Sequence, residues 1–176
     1  MEPPFSPPSQ EQVDWIDDQG QVLGVVTRAR MRAENLLHRV SSTLVTRADG
    51  RVFVQKRTLT KDVFPGLWDV FVGGTVASGE TFEQNARREL GEELGIFGVP
   101  VLHLLDHTYR GPQTQAHIRV FTCRWEGPVT LQPEEVAAGH WAEPQEVDQL
   151  IAQGELCPDS AQGWGLVKAQ RKITMG

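Results

Sequence analysis

Gly74-Thr75-Val76-Ala77-Ser78-Gly79-Glu80-Thr81-Phe82-Glu83-Gln84-Asn85-Ala86-Arg87-Arg88-Glu89-Leu90-Gly91-Glu92-Glu93-Leu94-Gly95-Ile96 is the stretch that decides the fold. Thr81, followed three residues later by Gln84, is a capping-box pattern, so a helix starts at Phe82. Apolar residues recur at Phe82, Ala86, Leu90 and Leu94, the spacing of one buried helical face, and Gly95 stands where a left-handed C-terminal cap belongs. At about 100° per residue, Glu89, Glu92 and Glu93 fall within an arc of about 100°, so three carboxylates share one face. Glu89 and Glu93 form an i, i+4 like-charge pair, which costs a bare helix roughly 0.2–0.5 kcal/mol. A divalent cation would offset that repulsion, and an all-oxygen ligand set favours Mg²⁺ or Mn²⁺ over zinc. The bland alternative is a solvated acidic face, partly neutralised by Arg88.

Upstream of this stretch, residues 68–72 form a strand-like run ending at Gly73-Gly74, preceded by a polar loop over 58–67. Two hairpins come earlier. One pairs residues 42–46 with 52–56 around Ala48-Asp49-Gly50, and the other pairs 13–17 with 22–27 around Asp18-Gln19-Gly20-Gln21. Downstream lie strand-like runs at 101–105 and 117–125, a polar loop containing Pro133-Glu134-Glu135-Val136, and helices near 144–152 and 159–172. Residues 1–12, with four prolines in the first eight positions, are expected to be a disordered arm. Residues 13–176 then make one domain of the α/β (α+β) class, a mixed sheet covered by helices.

A chain of 176 residues with 39% hydrophobic and 23% charged residues is neither a fibre nor a pore. Its net charge of −6, without any basic run, lacks the footprint of a duplex nucleic-acid binder. A small phosphorylated ligand remains compatible, because a cation held by carboxylates reverses the local sign of an acidic surface. No apolar stretch is long enough to span a bilayer, and the N-terminal residues lack the pattern of a signal peptide, so a cytoplasmic location is expected. Cys123 and Cys157 share no ligand spacing and read as small buried hydrophobes, with a single disulfide as the alternative.

Residues 74–96 also satisfy G-x5-E-x7-R-E-U-x-E-E-x-G-U, where U is aliphatic, at every specified position. A chance match is of order 10⁻⁷ at average residue frequencies. The pattern resembles the Nudix box, and the resemblance implies an α/β/α sandwich in which a loop-helix-loop holds divalent cations against a diphosphate. It implies a Mg²⁺- or Mn²⁺-dependent hydrolase that cleaves the diphosphate linkage of a nucleoside diphosphate derivative by water attack at phosphorus. Glu89, Glu92 and Glu93 would be metal ligands, with the Gly74 carbonyl nearby. Glu80 and Arg88 would brace the loop, and Gly95 would close the helix. Glu89, Glu92 and Glu135 are the catalytic candidates; the general base is drawn from Glu89 or from the 134–135 loop.

A second, narrower similarity is to isopentenyl-diphosphate isomerase. It is carried by Leu36-Leu37-His38-Arg39, by Gln55-Lys56-Arg57-Thr58-Leu59-Thr60-Lys61 and by Phe64-Pro65-Gly66-Leu67-Trp68. The resemblance assigns Arg57 and Lys61 to diphosphate binding. The isomerase chemistry is missing, since its catalytic cysteine and metal-binding histidine correspond to Val72 and Gly74 and its acidic partner to Ala116. The alternatives to a hydrolase are thus an isomerase-like enzyme and a non-catalytic module that senses a nucleotide. His38 is either a pocket or a core residue, and Trp68 and Trp141 are base-stacking or core residues. The expected partner is a small diphosphate, a nucleotide by preference, and the chain is a monomer or homodimer.

Overall fold

Alternation along the strands sorts the apolar residues onto two faces of one sheet. In the computed structural model, which describes residues 8–174, strands β3 (His38–Thr46), β4 (Val52–Arg57) and β8 (Gln115–Arg124) form its centre. Leu44, Val52, Val54, Ala116, Ile118 and Val120 pack on one face with Val147, Trp164 and Val167, from helices α3 (Pro144–Ala152) and α4 (Pro158–Thr174). Their neighbours Val45, Phe53, Phe121 and Cys123 face the other way, against Ala86, Leu90 and Leu94 of helix α2 (Phe82–Leu94). The result is helix, sheet, helix: a three-layer sandwich.

The sheet is mixed. β3 runs parallel to β8 and antiparallel to β6 (Val72–Thr75); β8 pairs antiparallel with β7 (Leu102–Arg110). β4 pairs antiparallel with β5 (Trp68–Asp69) and with β9 (Val136–Ala142). β3 and β4 share only the pair Thr46↔Val52, so they splay apart beyond their hairpin. The run expected as one strand over 68–72 is divided at this wedge. Its first residues join β4, and after a turn in which the Phe71 amide donates to Asp69 Oδ1 (2.8 Å), the chain joins β3 as β6.

Strands β1 (Gln12–Ile16) and β2 (Val22–Thr27) form a separate hairpin that braces the loop before α2. Val13 bridges Ala77, the Ser78 amide donates to the Gln12 carbonyl (2.9 Å), and Asp14 pairs with Arg39 at 2.7 Å. Of the arm expected over residues 1–12, residues 1–7 lie outside the described residues. Pro8–Gln10 forms a 3-10 turn, the Glu11 carbonyl accepts from the Arg28 amide (2.7 Å), and Gln12 pairs with Thr27. Those last residues have donors and a charge partner that the prolines lack.

Two further elements differ from the sequence expectation. Helix α1 (Arg28–Ala33) has Met31 as its single buried residue and no apolar repeat, so nothing in its pattern marks it. β9, Val-Ala-Ala-Gly-His-Trp-Ala, is poor in strand-favouring residues and is held extended by pairing along β4.

Candidate active site

Helix α2 is fixed at both ends. The Thr81 hydroxyl accepts from the Gln84 amide (3.0 Å), the Gln84 side chain accepts from the Thr81 amide (2.9 Å), and Gly95 caps the C-terminus at φ 67°. The loop before the helix is tied to it through Glu80. Its Oε1 accepts from the Ala77 amide (3.1 Å), Asn85 Nδ2 (2.9 Å) and Arg88 Nη2 (3.2 Å), and its Oε2 accepts from Arg88 Nε (2.9 Å). Burial alone would raise the Glu80 carboxyl, but these hydrogen bonds outweigh it and hold it below the ordinary glutamate range.

Three carboxylates of α2 reach the same cleft in different environments. Glu93 is 3% exposed, and burial, followed by the charge of Glu89, pushes its carboxyl up to about 8. Gln55 Nε2, at 3.5 Å, is a distant donor to it. Glu89 is raised as well, by burial first and then by Glu92, against the pull of Arg88. Glu92 is half exposed and accepts from Arg88 Nη1 at 3.1 Å. Gly74 lies directly beneath Glu89: a Cβ there would sit 2.9 Å from Glu89 Oε1.

Opposite these carboxylates the cleft wall is basic, and most of it comes from the helix that the sequence pattern did not reveal. Arg28 and Arg32 of α1 both bind Asp62, at 3.3 and 3.0 Å. Burial would raise Asp62, but Arg32 and then Arg28 outweigh it and hold its carboxyl at about 2. Lys61 lies beside them, ion-paired with Glu135, and burial followed by the Arg57 charge lowers its ammonium. The cleft lined by these residues and by Glu89, Glu92, Glu93, Glu134 and Glu135 has a volume of about 760 Å³, inside the usual range of small-ligand pockets. Arg57 is placed differently. Its Nε and Nη2 donate to the Val63 carbonyl at 3.0 and 2.8 Å, so most of its fork holds the 58–67 loop.

The structure also repositions the comparison with the isomerase. Val72 points into the core beside Ala86 and Leu90, away from the cleft. The residues of β6 that line the cleft are Gly73, Gly74 and Thr75, and Ala116 lines the smaller pocket next to it. None of these carries a thiol, imidazole or carboxylate. Trp68 and Trp141 pack with the two cores, and Cys123 and Cys157 are free, buried thiols.

A family model for the NUDIX domain matches residues 36–160. The chain belongs to the Nudix family. Nudix hydrolases of Yersinia pestis, Escherichia coli K12 (YfcD) and Pseudomonas aeruginosa (PA4841) are 38%, 35% and 34% identical to it. The alignments cover 89%, 90% and 86% of this chain and 85%, 87% and 90% of those relatives. Among solved structures, DR0079 from Deinococcus radiodurans is 27% identical with a TM-score of 0.74, covering 90% of this chain and 98% of that one. The NUDIX domain of Shewanella oneidensis NrtR, solved with ADP ribose, shares the fold at 19% identity and a TM-score of 0.62, over 86% of this chain and all of that one. As a Nudix hydrolase, the chain acts on phosphorus-containing anhydrides. No helix among the described residues is long and apolar enough to cross a membrane.

The Nudix family generally uses divalent metal ions, and the donor chemistry here fits one. The carboxyls of Glu89 and Glu93 are both raised, by desolvation and by neighbouring glutamates, and every candidate donor is oxygen. Among the described residues, no three acidic, histidine or cysteine side chains converge into a ready-made cage.

Proposed function

We propose that this Nudix protein is a Mg²⁺- or Mn²⁺-dependent hydrolase that cleaves the diphosphate linkage of a nucleoside diphosphate derivative by water attack at phosphorus. The observation that carries it is the opposition of charge across one cleft. Glu93, buried, and Glu89, partly buried, stand on one wall, and Arg28, Arg32 and Lys61 line the cleft with them. A cation against the acidic wall and a diphosphate between the two walls would satisfy both.

In this assignment Glu89, Glu92 and Glu93 would hold the cation with the Gly74 carbonyl, and the cation would supply charge neutralisation for phosphate oxygens and a more acidic water. Glu80 and Arg88 fix the loop so that Gly74 stays under Glu89. Lys61 and Glu135 are ion-paired and both line the cleft; in this assignment Lys61 would grip a phosphate oxygen and leave Glu135 to take the proton from the attacking water. Arg57 acts by holding the 58–67 loop, with Lys61 on it, over the cleft.

The test is cleavage of a broad panel of nucleoside di- and triphosphates and diphosphate esters, with Mg²⁺ or Mn²⁺, in ¹⁸O-labelled water. Metal-dependent turnover that places ¹⁸O on a phosphate product is expected. Label appearing in the released alcohol, or turnover unaffected by chelator, would contradict the assignment.

A further inference from the structure

Among the basic residues of the cleft stands one carboxylate that a site for a diphosphate has no obvious use for. Asp62 lines the cleft together with Arg28, Arg32 and Lys61. It belongs to the 58–67 loop, whereas both arginines stand on α1, four residues apart and so on the same side of that short helix. Coulomb repulsion between two guanidiniums at that spacing drives them apart. Nothing on α1 itself counters this: its single buried residue is Met31, and Glu34, at its end, is taken by Arg30 at 2.6 Å.

Asp62 gathers the two arginines by their Nε edges. Arg28 Nε and Nη2 donate to its two oxygens at 3.3 and 3.4 Å, and Arg32 Nε donates to Oδ2 at 3.0 Å. Arg32 Nη1 is held separately, by the Thr114 hydroxyl at 3.2 Å in the turn between β7 and β8. What is left over is one Nη on each arginine. Arg32 Nη2 has no hydrogen-bond partner among the described residues, and Arg28 Nη1 has only Glu11, at 3.5 Å. With its carboxyl at about 2, Asp62 stays ionised near neutral pH, so one negative charge is shared between two positive ones and an anion is still called for.

We propose that Asp62 is a positioning residue: by fixing the Nε edges of Arg28 and Arg32 it makes the two guanidiniums a single two-point clamp for one phosphoryl group of the substrate. The role rests on the diphosphate-hydrolase reading above and deepens it, by naming the side chains that recognise the phosphate and the group that orders them. A guanidinium fork matches phosphate oxygens, and holding two of them in place beforehand removes an ordering cost from binding. The sign of the effect sets this role apart from simple electrostatics. By charge alone, removing a carboxylate from an anion site tightens the anion; by positioning, it weakens it.

The experiment measures calorimetric binding of methylenediphosphonate, a non-hydrolysable diphosphate, to the full chain with Mg²⁺. Asp62→Asn should bind it at least about tenfold more weakly than the parent, although the substitution removes a negative charge. In a variant carrying both Arg28→Ala and Arg32→Ala, adding Asp62→Asn should cause no further loss, because Asp62 acts through those two side chains. The ¹⁵Nε–H resonance of Arg32, protected from solvent exchange in the parent, should exchange rapidly in Asp62→Asn. Thr114→Val releases Arg32 from its other partner without changing charge; it should also weaken binding, and gives a second route if Asp62→Asn misfolds. Equal or tighter binding by folded Asp62→Asn, a further loss in the double-alanine background, or no binding by the parent overturns the proposal. For the best substrate of the panel, Asp62→Asn should raise KM in step with the loss of binding and lower kcat much less. The predicted binding pattern without any turnover by the parent supports the clamp and counts against the hydrolase reading, whereas turnover with an unchanged KM in Asp62→Asn overturns the clamp alone.

Discussion

Replacing Glu80 by Gln is the perturbation that most directly tests how the loop over residues 74–80 is held. Glu80 accepts four hydrogen bonds, two of them from the Arg88 guanidinium. An amide in its place turns one oxygen into a donor facing other donors and removes the charge from the rest. Charge-assisted bonds contribute roughly 1.5–3 kcal/mol each. Because the Arg88 side chain is 37% exposed, solvent screening reduces this to a loss of about 1–2 kcal/mol. For a domain of this size that corresponds to a fall in Tm of about 2–8 °C. The pH dependence has a definite sign. The folded-state carboxyl is held below its unfolded value, so its contribution is complete at neutral pH and is lost as pH falls through the folded value. The stability gap between the parent and Glu80→Gln should therefore be full at pH 7, begin to shrink below about pH 4.3 and close as pH falls through the still lower folded value. Urea unfolding from pH 3 to 8 measures it, with Glu83→Gln as the control, since the exposed Glu83–Arg87 pair should be worth well under 1 kcal/mol. A gap that persists unchanged at pH 3, or an equal effect from Glu83→Gln, would refute the reasoning.

Other perturbations separate packing from chemistry. Gly73→Ala places a Cβ 1.9 Å from the Ser41 carbonyl oxygen in the β3–β6 pair, so it should unfold the protein at markedly lower denaturant than Gly74→Ala. The latter has the flexible Glu89 carboxylate as its nearest neighbour and should cost activity far more than stability; comparable unfolding midpoints for the two would count against this geometry. Thr81→Ala removes the N-cap of α2 and should cost about 1 kcal/mol in the same assay. Burial pushes the Cys123 thiol up to about 11 and raises Cys157 further, so neither should react with a thiol reagent at pH 7.5 until the protein is unfolded; rapid labelling of the folded protein would show the core to be open.

The sequence discloses most where local rules and tertiary structure agree. The capping pair Thr81–Gln84, the spacing of Ala86, Leu90 and Leu94 and the cap at Gly95 are all local, and they place the three glutamates on one face before any contact is known. The β1–β2 hairpin is legible for the same reason, from Gly20, whereas Asp49-Gly50 marks the turn after β3 but not that β3 and β4 part beyond Thr46↔Val52. What escapes is whatever depends on a distant partner. β9 is extended because β4 pairs with it, and the 68–72 run breaks because two different strands claim its halves. Helix α1 carries Arg28 and Arg32 to the cleft, yet its one visible signal is Thr27 ahead of three arginines spaced by two. The role of Arg57 could not be read from its residue type, since the same fork that suits a phosphate here holds the Val63 carbonyl.

The central claim concerns the acidic wall, and Glu93→Gln addresses it with little change of shape. The amide keeps the size of the side chain beside Gln55 and removes the charge that the cation requires. Steady-state turnover of the best substrate from the panel should fall at least about a hundredfold at saturating Mg²⁺, with the unfolding midpoint in chelator no lower than that of the parent. Turnover within a few-fold of the parent protein at the same Mg²⁺ concentration would contradict the assignment of this face as the site of diphosphate cleavage.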